Sequence, residues 1–288
     1  MNSRLWGVAA TIFCTAAVVG AAKAAGEAEP QIPQLMSIDR PWVAPIGDRA
    51  VFLSPPSGIG PVTYDHEHPI TTVSPNAQGI PSQNIVFIAD LKNPNLKPWV
   101  VESLRKTNEL TLSGKLHYTS RSSCMPAGVP QFLLYAAGAE SLYIIQTPKE
   151  VVMIHQADNQ TRHIYLNASH PARPAHSWYG DSVGHYENGE LVVDTIGFND
   201  RSFLDDRYDV PHTADLHVTE RYRMIDDGKG LEVTFTVEDP GAFYAPWSAV
   251  VRYQHARQPA ILFEEPCSEN NGEDVSGFPA PAAKTPDF

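Results

Sequence analysis

From Ser141 to Glu264 the chain is a succession of short β-type segments separated by turns, and this rhythm restricts the fold more than any other feature. The segments are Ser141–Thr147, Glu150–Gln156, Thr161–Asn167, Ser182–Glu187, Leu191–Ile196, Leu216–Ile225, Leu231–Glu238, Trp247–His255 and Ala260–Glu264. Asn188-Gly189 joins two of them, and Asn-Gly between apolar runs is the strongest short-range hairpin signal. Asp226 to Gly230 marks a second turn. Short strands linked mostly by turns predict an all-β domain, an antiparallel meander that closes as a lipocalin-like barrel. A two-sheet sandwich is the rival arrangement.

Upstream the pattern changes. Residues 25–84 are rich in proline and read as an extended arm laid over the body, with a first strand at Ile85–Ala89. Residues 96–108 are the one convincing helix: Pro98 suits a first turn, and Val100, Val101 and Leu104 recur at helical spacing. Ser123 to Pro130 is a loop constrained by its prolines and glycine. Residues 85–271 thus form a single all-β domain, and residues 272–288 read as a flexible tail.

The N-terminus has Arg4, an apolar run from Leu5 to Val19 and small residues ending in Ala22-Lys23-Ala24, which is the pattern of a secretory signal peptide over residues 1–24. The apolar run is shorter than the roughly 20 residues that span a bilayer, so no stable membrane insertion is expected after cleavage. Cleavage would remove Arg4 and Lys23 from 21 basic residues and none of 33 acidic ones, taking the net charge from -12 to -14. Nucleic acid is a poor partner for such a chain. A small molecule is the expected one, in the periplasm or outside the cell. Cys14 would leave with the signal peptide, and the remaining pair, Cys124 and Cys267, points to a disulfide in an exported chain.

Several stretches together resemble a family of exported bacterial all-β proteins. They are Cys124-Met-Pro-Ala-Gly-Val-Pro130, Arg162-His-Ile-Tyr165, Trp178-Tyr-Gly-Asp-Ser-Val-Gly184, Leu191-Val-Val-Asp-Thr-Ile-Gly-Phe-Asn199, Pro211-His212, Leu216-His217 with Glu220-Arg221, and Cys267-Ser-Glu-Asn-Asn271. The hairpin departs from the family pattern, with Tyr186 in place of a tryptophan. The resemblance implies an exported all-β body and carries no activity.

Candidate chemistry comes from strand alternation. On Leu216–Ile225, Leu216, Val218, Glu220, Tyr222 and Met224 share one face; His217, Thr219, Arg221 and Arg223 share the other. Glu220 is therefore a carboxylate among apolar neighbours, and Asp194 stands likewise between Val192 and Ile196. His212 and His217 add the side chain most suited to proton transfer near neutral pH. A second possible cluster joins His155, His163 and Tyr165 across adjacent strands.

These residues predict an exported, cofactor-independent lyase, isomerase or hydrolase. Glu220, His217, His212 and Asp194 would be its acid–base groups in a barrel pocket. Tyr222, Trp178, Tyr179, Trp247, Tyr165 and Asn199 would bind a small apolar or cyclic substrate. One alternative is a lipocalin-type binding protein without catalysis. Another is a metal-dependent enzyme with histidine ligands, for which His66 and His68 flank Glu67 on an extended segment. Phosphate-loop and dinucleotide motifs are absent from the sequence.

Overall fold

The computed structural model describes residues 36, 40–43, 52–68, 71–72, 85–113, 124–134, 141–205 and 207–256. The signal segment, the expected strand Ala260–Glu264, Cys267 and the tail lie outside the described residues. Nine strands form a closed barrel: β1 (Trp42–Val43), β4 (Leu142–Gln146), β5 (Glu150–His155), β6 (Thr161–Leu166), β7 (Asp181–Glu187), β8 (Glu190–Ile196), β9 (His217–Ile225), β10 (Gly230–Glu238) and β11 (Trp247–His255). Two further strands, β2 (Thr71–Thr72) and β3 (Ile85–Val86), pair with each other. The barrel, not the sandwich, is the architecture.

Alternation explains why these segments pair as they do. On β10, Leu231, Val233, Phe235 and Val237 are buried while the residues between them are not. A strand with one apolar face must turn that face onto a core, and closing the sheet removes the unpaired edges. The core is an aromatic and aliphatic filling in which Trp247 meets Phe235 and Phe243 edge-on at 5.9 and 5.8 Å.

The arm does more than lie over the body. Trp42 pairs with His255 on β11 and with Leu142 on β4, so two residues of the proline-rich segment complete the wall. Trp42 is fully buried and stacks on His255 with centroids 3.8 Å apart. Farther along, Leu53 exchanges both backbone hydrogen bonds with Val250 at 2.9 Å.

The meander is antiparallel except at one junction, where β6 and β7 are parallel over Tyr165↔Val183 and Leu166↔Gly184. Parallel neighbours need a crossover, supplied by the chain between Leu166 and Asp181. Two glycines with positive φ frame β7. Gly189 turns the hairpin at φ +83° with open space about it. Gly180 sits at φ +65°, where a Cβ would lie 2.5 Å from the Ile196 carbonyl oxygen. Gly189→Ala is expected to cost about 1–2 kcal/mol, the left-handed penalty alone. Gly180→Ala adds overpacking against backbone and should cost about 1–3 kcal/mol more. Urea unfolding of the two variants checks the order, and equal losses would contradict it.

The helix, α1 (Pro98–Leu112), starts two residues later and runs four residues further than the sequence predicts. Pro98 occupies its first turn, and Arg105 extends its register by bonding Glu102 and Glu109. Val100, Leu104, Asn108 and Thr111 are its buried stripe. Asn108 completes the packing like a strand partner, donating to the Ala89 carbonyl and accepting from the Ala89 N–H, each at 2.9 Å.

Candidate functional site

Closure decides which face of each strand is inside. Val218, Glu220 and Tyr222 point into the barrel, and so do Leu191, Val193 and Thr195 of β8. Glu220 is met there by Arg162 of β6, with neither side chain exposed. The guanidinium forks onto the carboxylate, Nη1 to Oε1 at 2.9 Å and Nη2 to Oε2 at 2.5 Å. Tyr222 donates to the same carboxylate at 2.8 Å, and Thr195 and Ser182 accept from Arg162 at 3.0 and 3.2 Å. Burial first, then the charge of Glu220, pushes the Tyr222 phenol well above its usual range. Such a satisfied buried pair is a structural element, and it fills the barrel at this level.

The outer wall carries a different arrangement. Asp194 points outward from β8 and receives two imidazoles. His217 of β9 places Nε2 at 2.5 Å from Oδ1, and His170 of the crossover places Nε2 at 2.9 Å from Oδ2. His170 also sets Nδ1 at 2.6 Å from Asp181 Oδ1 on β7. Behind His217, Glu238 of β10 lies 3.9 Å from Nδ1. Five titratable groups from five segments thus form one chain. Burial alone would raise the Asp194 carboxyl, but the bonds and charges of His217 and His170 outweigh it and hold it below the usual range. Its contribution to stability is present above the unfolded carboxyl value and is lost as pH falls through the lower folded one. Burial alone would lower His170, but Asp181 and Asp194 outweigh it and raise its pKa above the ordinary imidazole value.

His212 stands apart, buried beside Ser202. Its Nδ1 lies 2.9 Å from the Thr213 carbonyl and its Nε2 2.8 Å from Ser202 Oγ. A carbonyl can only accept, so Nδ1 carries the hydrogen. In the neutral ring Nε2 then accepts from the serine hydroxyl. Burial lowers the His212 pKa, which keeps the ring neutral. With its folded pKa depressed, its contribution is in place above the unfolded imidazole value of about 6.5 and is lost as pH falls below that toward the folded value. Ser202→Ala leaves Nε2 buried without its donor and is expected to cost about 1–3 kcal/mol. Denaturant unfolding at neutral pH checks this, and no loss would show that the bond contributes nothing.

The other sequence candidates do not converge. Tyr222 and Trp247 are buried in the core, Tyr165 is half exposed on the outer wall, and Trp178 lies under the Arg201 guanidinium at 5.7 Å. Tyr179 donates to Gln160 and meets Phe132 edge-on. Asn199 caps its own turn, accepting from the Arg201 N–H at 3.0 Å. The expected cluster of His155 with His163 and Tyr165 is divided by the wall. His155 is inside against Phe132, while His163 is outside, bonded to Glu150 and stacked on Tyr165. Neighbours on a strand that differ by an even number share a face, and 155 on β5 registers with the opposite face from 163 on β6.

His68 is tied to Asp65 at 3.1 Å, and His66 packs edge-on against Tyr64. Among the described residues, no group of three or more His, Cys, Asp or Glu is placed to hold a metal ion. Sequence reasoning missed Arg162, His170, Asp181 and Ser202. Arg162 had a signal, since it shares a strand face with Ile164 and Leu166, a cation among apolar residues that matches Glu220. His170 lies in a polar, proline-containing connection and had none. No protein-family model, curated protein or solved structure matches the chain.

Proposed function

We propose that the chain is an exported enzyme that needs no cofactor and carries out acid–base chemistry on a small molecule, with its site at Asp194 and His217 on the outer wall of the barrel. The observation behind this reading is the Asp194 carboxylate that receives both imidazoles. A carboxylate can only accept, so His217 donates Nε2–H to Asp194, and the neutral ring keeps its lone pair on Nδ1. Nδ1 lies on the Glu238 side of a ring that is 34% exposed, where a substrate proton can reach it. Asp194 holds the tautomer and stabilises the imidazolium once His217 has taken a proton, the role a carboxylate plays behind a general base. A lyase, isomerase or hydrolase step begins with this same transfer.

The reading moves the site from the barrel interior to its wall, because Glu220 is committed to Arg162 and Tyr222. Export and a Cys124–Cys267 disulfide belong to the same proposal. The test is untargeted mass spectrometry of a small-molecule extract incubated with the protein or with His217→Ala. A substrate and product pair formed only by the natural protein is the expected result. A compound that co-purifies and returns unaltered would instead favour a binding protein, and identical extracts would overturn catalysis.

A further inference from the structure

We infer that His170 is a proton-operated clamp on this site: as an imidazolium it fastens the crossover to Asp181 and Asp194, and as a neutral ring it releases one of them. The effect on catalysis rests on the reading given above; the clamp itself does not.

The inference follows from hydrogen counting. Both ring nitrogens lie within hydrogen-bonding distance of a carboxylate, at 2.6 Å from Asp181 and 2.9 Å from Asp194. Ionised carboxylates bring no hydrogen, so both must come from the ring, and a ring with two N–H groups is a cation. Removing either proton leaves a nitrogen lone pair against a carboxylate oxygen, which is repulsive. A neutral His170 can therefore keep only one partner. The groups that set this balance come from every strand beside it: Asp181 on β7, Asp194 on β8, His217 on β9 across the shared carboxylate, and Glu238 on β10 behind His217. Asp194 and Asp181 favour the cation, while His217 shares Asp194 through the other carboxylate oxygen.

The surrounding chain gives the clamp something to hold. Upstream, Asn167 N–H is anchored on the Gly184 carbonyl at 2.7 Å. Downstream, His176 Nδ1 lies 2.7 Å from the Phe198 carbonyl, and Ser177 N–H bonds the Gly197 carbonyl at 3.1 Å. Between those anchors Ala168, Ser169, Pro171 and Ala172 are exposed, while His170 and Pro174 are partly buried. With its folded pKa raised, the tie is in place below the unfolded imidazole value of about 6.5 and is lost as pH rises through the higher folded one. Where Asp194 is the partner released, its Oδ2 is freed and the carboxylate is left to His217 alone.

The experiment is backbone relaxation of isotopically labelled protein across the His170 titration, followed through the ring's own resonances. Order parameters at Ala168, Ser169 and Ala172 are expected to fall from about 0.85 to below about 0.6 as the ring loses its proton. In His170→Gln, which bears no ionisable ring, they should not vary with pH. Unchanged order parameters through the titration would overturn the clamp, as would a ring that shows no titration. This readout needs no substrate. If the natural protein turns over a substrate, its pH–rate profile should contain an ionisation absent from His170→Gln; superimposable profiles would overturn the gating. Absence of turnover in both, with the relaxation result intact, would overturn the catalytic reading and leave the clamp standing.

Discussion

Glu220→Ala is expected to lower the unfolding free energy by about 3–5 kcal/mol, the cost of leaving a buried charge without its partner. Arg162 makes the loss this large. Its side chain is fully enclosed, and a guanidinium does not shed its proton to escape the interior. Ser182 and Thr195 would remain as neutral acceptors, but two hydroxyls do not replace a forked carboxylate. At about 2–4 °C per kcal/mol for a domain of this size, the melting temperature should fall on the order of 10 °C. Tyr222 would lose its acceptor at the same time. Replacing both ends, Glu220→Leu with Arg162→Met, should recover much of the loss, because apolar substitutes of similar volume do as well as many buried pairs. Urea denaturation of the single and double variants is the measurement. If the single variant loses under about 1 kcal/mol, or the double variant is no better than the single, the pair is not coupled as the geometry requires.

His217→Ala is expected to reduce kcat on the identified substrate by about 10²–10⁴-fold, the contribution typical of a positioned general base. The fold should hardly notice, since the ring is one-third exposed and its neighbours on the outer wall meet water. Asp194→Asn tests the same transfer from behind. An amide in place of the carboxylate can present a donor to Nε2 and reverse the tautomer, so Nδ1 would carry the hydrogen and no longer act as a base. Both variants should lose rate, and Asp194→Asn should also lose the stability that the carboxylate's ties to His217 and His170 supply. Turnover within about threefold of the natural protein in His217→Ala would place the chemistry elsewhere.

Much of the barrel was legible. The hairpin at Asn188-Gly189 and strands β4 to β11 fall within a residue or so of where alternation puts them, since the pleat imposes a period that side chains record directly. The site was legible in fragments. Glu220 and Asp194 both stand among apolar neighbours in sequence, yet one is locked inside with Arg162 and the other faces outward to His170 and His217. On β8 both faces carry aliphatic residues, Leu191 and Val193 on one and Val192 and Ile196 on the other, so hydrophobicity gives no direction there. The parallel junction of β6 and β7 was hidden as well, because nothing in the crossover's composition states the direction of its return.

The sequence by itself determined which residues share a strand face and that those strands build an all-β body, barrel or sandwich, because both are consequences of local backbone geometry and of burying one face. Only the tertiary structure decided which face lies inside, that Trp42 completes the wall, and that His170 reaches Asp194. Those outcomes depend on how distant edges meet when the sheet closes, and a period of two residues assigns two faces without saying which of them is enclosed.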